Sequence, residues 1–177
     1  SMNELINAFS IERINKAGAK FDIQKAQWFN QQYVKARSNE ELAEQLLKES
    51  GKSISKENAV KVCSIMKERV TFPQEIWEQG KFFFEGPTHF DEGVVNKKWN
   101  DEAVKVLSAY KDALSKELTI DAASAKSVLE HTAASVNVGV GKIMQALRVS
   151  ITGNASGPDL MMTMEILGKD EVIRRIG

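Results

Sequence analysis

Asn100-Asp101-Glu102-Ala103-Val104-Lys105-Val106-Leu107-Ser108-Ala109-Tyr110-Lys111-Asp112-Ala113-Leu114 is the stretch whose reading decides the fold. Asn100 is a helix-capping residue, because its side-chain oxygen can accept from the free N–H groups of a first turn. Asp101 and Glu102 place negative charge where the helix dipole favours it. Ala103, Leu107, Tyr110 and Leu114 then recur at helical spacing, which predicts a helix to about Lys116 with one buried stripe. The pattern repeats downstream. Asp121 is expected to cap a helix reaching about Ala134, and Val140, Ile143, Met144, Leu147 and Ile151 mark another. After a loop from Gly153 to Pro158, Asp159 caps Leu160 to Leu167, Gly168 closes that helix and Asp170 starts a last short one.

Upstream, Asp22 opens a helix from Ile23 to about Ala36 whose apolar face is Ile23, Ala26, Phe29 and Tyr33. Ser38-Asn39-Glu40-Glu41 reads as a capping box before Leu42, Leu46 and Leu47, with a stop near Gly51. The next helix is expected from about Lys56 to Arg69, with Ala59, Val62, Cys63 and Met66 on one side. Thr71-Phe72-Pro73 breaks the chain, since proline is tolerated only in a first helical turn. A short helix from Gln74 to Glu78 follows, and Lys81-Phe82-Phe83-Phe84 runs to Gly86-Pro87, where a subdomain junction is expected. With three prolines and few β-branched runs, the chain reads as all-α, about nine helices in two or three small bundles.

A length of 177 residues is one domain or two small helical ones, with 42% hydrophobic residues to fill a core. Twenty-four basic residues balance 24 acidic ones. A net charge of zero argues against a general polyanion binder but leaves room for a local basic face. The single cysteine, Cys63, excludes a disulfide scaffold and a cysteine-based zinc site. It falls on an apolar helix face, as a core thiol does, and a reduced, cytoplasmic setting fits. No run approaches the roughly 18–20 apolar residues that cross a bilayer, and no signal peptide is visible. Ser1-Met2 resembles a cloning remnant ahead of the natural sequence.

No Walker loop, dinucleotide fingerprint or HExxH motif occurs, and His89 and His131 are far apart and read as surface or loop residues. Val138-Gly139-Val140-Gly141-Lys142 lacks the spacing of a phosphate loop, and Ile143 follows the lysine where Ser or Thr is needed. These glycines read as a flexible helix entry or as close backbone packing. Charge placement says more. Arg13, Lys16, Lys20, Lys25, Lys35 and Arg37 face a single acid, Asp22, a local net of +5. From His131 to Pro158 there is no Asp or Glu, while Lys142 and Arg148 are present. Surfaces kept free of carboxylates let phosphates approach; the plainer reading is a solvated face and a buried helix. Trp28 and Phe82 to Phe84 are candidates for base stacking or for core packing.

Phe9 to Asp22, continuing through Lys25-Ala26-Gln27-Trp28-Phe29 to Tyr33, resembles the segment after the KMSKS loop in bacterial glutamyl-tRNA synthetases, of the class I aminoacyl-tRNA synthetase family. Met66-Lys67-Glu68-Arg69-Val70-Thr71-Phe72 resembles the start of the anticodon-binding region, and Phe82-Phe83-Phe84 the aromatic cluster that follows it. Leu147-Arg148-Val149-Ser150-Ile151-Thr152-Gly153, Gly157-Pro158-Asp159-Leu160 and Ile166-Leu167-Gly168-Lys169-Asp170-Glu171 resemble the end of those enzymes, in the same order.

The resemblance implies the C-terminal, anticodon-binding part of such an enzyme, without the catalytic domain or either ATP-binding motif. Residues 1–36 would be the helical tail of the stem-contact domain, and 37–86 and 87–177 two small helical anticodon-binding subdomains. The partners would be tRNA-Glu and the catalytic domain of the same polypeptide. ATP and magnesium would act in that domain, leaving this part without a cofactor, inactive alone, monomeric and cytoplasmic. Arg69 aligns with the family's reader of the last anticodon base, and Arg148 and Leu160 with residues facing the other two. Arg13, Lys16, Lys20 and Lys25 would meet the tRNA backbone. Where some members carry a hydroxyl residue before the proline, this chain has Gly157, so any side-chain contact from that point is lost. The competing reading is a protein–protein adaptor using Phe82 to Phe84. A small hydrolase is disfavoured, since no nucleophile–base pair is suggested.

Overall fold

The computed structural model describes residues 1–14, 18, 20–51 and 54–177, and every regular element among them is helical. In chain order these are α1 (Met2–Ala8), a 3-10 turn (Ile11–Arg13), α2 (Ile23–Ala36), α3 (Asn39–Ser50), α4 (Lys56–Met66) and α5 (Glu75–Gln79). A second 3-10 turn (Lys81–Phe83) precedes α6 (Glu92–Lys98), α7 (Asp101–Leu114), α8 (Ala122–Ser135), α9 (Val140–Thr152), α10 (Leu160–Leu167) and α11 (Lys169–Ile176). The expected caps form. Asp22, Ser38, Asn100, Asp121 and Asp159 each accept from the backbone N–H three residues on, at Lys25, Glu41, Ala103, Ser124 and Met162.

The described residues hold eleven α-helices where nine are expected, because α1 and α6 are additions. In α6, Gly93 and the β-branched pair Val94-Val95 are weak helix formers. Asp91 starts the helix nonetheless, accepting from Val94 N. Conversely, α4 ends at Met66 rather than Arg69, and residues 67–69 form a turn in which Arg69 N donates to Met66 O. Gly139 caps α9, and neither it nor Gly141 is crowded, so close packing is not what those glycines serve.

Two apolar clusters hold these helices. One joins α2 to α5 through Val34, Leu42, Leu46, Val62, Met66 and Ile76, with Phe83, Phe84 and, from α10, Ile166 packed against it. The other joins α7 to α11 around Leu107, Tyr110, Leu129, Leu147, Met164 and Val172. Each fully buried aliphatic side chain contributes roughly 1.5–3 kcal/mol. Cys63 is a core thiol as expected, and burial pushes its pKa up to about 12. Buried Tyr110 satisfies its hydroxyl by donating to Ala125 O at 2.8 Å, and burial raises its pKa as well.

The expected apolar face of α2 differs from its actual packing. Ile23, Phe29 and Tyr33 are exposed, and Val34 alone is buried. Periodicity identifies an amphipathic face but not the surface that covers it.

Candidate nucleic-acid interface

Arg69 stands at the end of the turn that closes α4, anchored on both sides by core residues, Met66 and Val70. The segment after it is tied down too: Thr71 N donates to a carboxylate oxygen of Glu75 at 2.8 Å, and Asn30 of α2 donates to Thr71 O. The Arg69 side chain is therefore exposed on a fixed backbone. It lines a cavity of about 380 Å³ whose floor is Met66 and Phe82 and whose far wall is the loop Asn154 to Pro158. Glu78 and Asp91 complete the rim. That volume lies within the range of small-molecule pockets, roughly 300–1,000 Å³.

The far wall is pinned at both ends. Gly153 ends α9 with φ +77, and a Cβ there would lie 2.4 Å from His89 O and 2.9 Å from the Pro87 side chain, so no other residue fits. Its carbonyl accepts from Asp91 N at 2.9 Å. Thr152 Oγ1 accepts from Asn154 N, and Asn154 Nδ2 donates to Thr152 O. At the other end Asp159 caps α10.

Arg148, on α9, is half-buried and does not line the cavity. One guanidinium nitrogen donates to Pro158 O at 2.9 Å. Burial first, and the neighbouring charge of Arg69 second, lower its proton affinity, while Asp159 offsets part of that. Two guanidinium groups thus share one small region, with the Glu78 and Asp91 carboxylates on the rim of the same cavity.

The residues expected to read the anticodon are placed unequally. Arg69 faces the cavity and Arg148 stands behind its wall. Leu160 is 2% exposed and packed within the larger core, so its side chain presents no surface there. Of the four expected backbone-binding residues, Arg13, Lys20 and Lys25 are exposed, and none has an ion-pair partner among the described residues. Lys16 lies outside the described residues. In the same basic stretch Lys35 pairs with Glu68 at 2.8 Å, and Arg37 donates to Gln45 and lies 3.8 Å from Glu41. Both are therefore absorbed by structure.

The aromatic candidates divide similarly. Phe82 is 6% exposed and Phe83 and Phe84 are half-buried, with Phe82 against Phe83 and Phe84 against Trp77, so these three rings form no exposed aromatic patch. Trp28 is 55% exposed and meets Phe29 edge-on. Sequence reasoning missed Glu78, Asp91 and the wall 154–156. The only signal for the wall was the loop composition Asn-Ala-Ser-Gly-Pro, which marks a turn and not a partner.

Residues 27–177 match the family model described as the anticodon binding domain. Over 99% of its length the chain is 48% identical to a glutamate–tRNA ligase of Cytophaga hutchinsonii, and 38% identical to that of Porphyromonas gingivalis. It superposes with a TM-score of 0.90 and 40% identity on a crystal structure of a glutamate tRNA ligase from Elizabethkingia meningosepticum in complex with its amino acid. A glutamate-tRNA synthetase from Elizabethkingia anophelis gives 0.86 and 39%. The chain spans about a third of each: 35% of the two ligases, and 36% and 35% of the two solved chains.

Proposed function

From the premise that this chain belongs to the anticodon binding domain family, we propose that it reads the anticodon arm of tRNA-Glu for glutamylation by a catalytic domain elsewhere in the same polypeptide. The observation that carries this reading is Arg69, an exposed guanidinium on a fixed turn at the mouth of a cavity sized for a small planar group. RNA bases are read where loops splay them out, by hydrogen bonds to their Watson–Crick edges. Arg69 supplies the donors and Phe82 the apolar floor. Arg13, Lys20 and Lys25, joined by Lys16 from the sequence, meet phosphates, which fix position without specifying sequence.

The proposed organisation follows the sequence: 1–36 as the tail of the stem-contact domain, and 37–86 and 87–177 as the two anticodon-binding subdomains. ATP and magnesium act in the catalytic domain, and this part, a cytoplasmic monomer, binds tRNA without forming glutamyl-adenylate. No helix among the described residues is long and apolar enough to cross a membrane.

The test is a titration of a labelled anticodon stem-loop and of whole tRNA-Glu across a salt series. Affinity should fall steeply as salt rises, with a slope of about 0.7 per phosphate contact on single strands. Charge reversal at Lys20 or Lys25 should weaken binding of whole tRNA whatever its anticodon. A chain that binds neither RNA at low salt is not an RNA reader.

A further inference from the structure

We propose that Arg148 is a positioning residue: it holds the far wall of the base cavity in place through Pro158, and Gly157 provides the space that its guanidinium occupies. The proposal rests on the reading of the cavity as the base site. Two observations support it. The guanidinium donates to Pro158 O at 2.9 Å, from outside the cavity and across a loop ten residues further along the chain. A Cβ built on Gly157 would lie 3.0 Å from that same guanidinium nitrogen, tighter than ordinary van der Waals contact.

The chemistry of the bond explains why an arginine is placed there. Loop 153–158 is secured at Gly153 and at the Asp159 cap. Between those anchors, Gly157 and Pro158 line the same cavity as Arg69. A charged donor on a carbonyl makes a stronger hydrogen bond than a neutral one, and the rigid guanidinium plane fixes direction as well as distance. The bond therefore sets how far Pro158 stands from Arg69, and hence the gap into which a base must fit. A hydroxyl residue at 157 could reach the base itself, but its Cβ would crowd the guanidinium. Glycine at 157 and the bond from Arg148 to Pro158 thus form one arrangement, with a backbone wall in place of a side-chain contact.

The test uses Arg148→Ala, Arg148→Lys, Gly157→Ala and the double variant Arg148→Ala/Gly157→Ala. Binding of the cytosine-ending anticodon stem-loop is measured across salt, and amide exchange of residues 154–157 is measured in the RNA-free protein. Arg148→Ala should weaken binding about 10-fold with the salt slope unchanged, since it removes no phosphate contact, and should speed exchange in the loop without RNA. Arg148→Lys should recover part of both. Gly157→Ala should weaken binding in the native background but add nothing once Arg148 is alanine, which is non-additivity expected of a shared contact. The proposal is overturned if the two substitutions are additive, if loop exchange is unchanged in Arg148→Ala, or if that variant lowers the salt slope by roughly 0.7, the mark of a direct phosphate contact. Failure of the native chain to bind any stem-loop sinks the base-site reading instead, and the exchange measurement still decides whether Arg148 holds the wall.

Discussion

Arg175 reaches back 93 residues to donate to Phe82 O at 2.7 Å. The same nitrogen donates to Ile151 O at 2.7 Å, and Nε donates to Glu171 at 2.7 Å. The side chain is only 3% exposed, so α11 clamps the floor of the base cavity to the end of α9 through one cation. Arg175→Ala leaves two buried carbonyls without their donor, each such loss costing about 1–3 kcal/mol. The variant should lose roughly 2–6 kcal/mol, read as a lower urea midpoint with an unchanged slope. Arg175→Lys, which keeps the charge but not the fork, should recover only part.

The clamp also sets a pH dependence. Hydrogen bonds from Arg174 first and Arg175 next hold the Glu171 carboxyl down to about 2, against an ordinary value of 4.5, with partial burial opposing. The unfolded chain therefore takes up the proton first as pH falls. The stabilisation is complete above about 4.5 and is lost progressively toward about 2. Between pH 5 and pH 2.5 the urea midpoint of the native chain should fall further than that of Glu171→Gln. Equal falls would assign the acid sensitivity elsewhere.

Helix starts were legible because the caps are local: Asn100, Asp121 and Asp159 each bond three residues away. Helix α6 was not, since Gly93, Val94 and Val95 argue against it, while Asp91 at its start, Glu92 in its first turn and Lys97 and Lys98 in its last argue for it. The exposure of Ile23, Phe29 and Tyr33 was not legible either, because a stripe reports its own periodicity and not its neighbour. At the site, Arg69 was found through resemblance. Its place in one cavity with Gly157 and Pro158 brings together residues nearly ninety positions apart that no local pattern links. Arg148 was singled out through resemblance too, but its bond to the Pro158 carbonyl was not legible, since backbone carbonyls leave no trace in a sequence.

Leu160 tests the distinction between core and contact. Its side chain is buried in the cluster formed by α7 to α11, so Leu160→Ala removes apolar volume and opens a cavity. Such substitutions cost about 2–5 kcal/mol. Leu160→Met, which nearly conserves volume, should cost under about 1.5 kcal/mol. Both variants should bind the anticodon stem-loop with native affinity at a temperature where they remain folded. A Leu160→Met variant of native stability but weakened binding would restore Leu160 as a direct contact.

Arg69 carries the sharpest expectation. Glutamate anticodons end in cytosine, and the competing glutamine anticodons end in guanine. An unpaired cytosine presents two adjacent acceptors, O2 and N3, on its Watson–Crick edge. A guanidinium is a planar fork of donors and meets both at once. Guanine presents N1–H and N2–H on the matching part of its edge, so donor would face donor. Attraction to one base and repulsion of the other together set the preference. By analogy with bidentate contacts to DNA bases, the pair is worth roughly 1–3 kcal/mol. Arg69→Ala should therefore weaken binding of the cytosine-ending stem-loop by about 10- to 100-fold and affect the guanine-ending loop much less. Arg69→Lys should rescue only part, since an ammonium lacks the fork. Because Arg69 is exposed, neither change should move the urea midpoint appreciably. Both stem-loops are measured against native and variant chains at one salt concentration. If Arg69→Ala folds normally and keeps its full preference for cytosine, another residue reads that base.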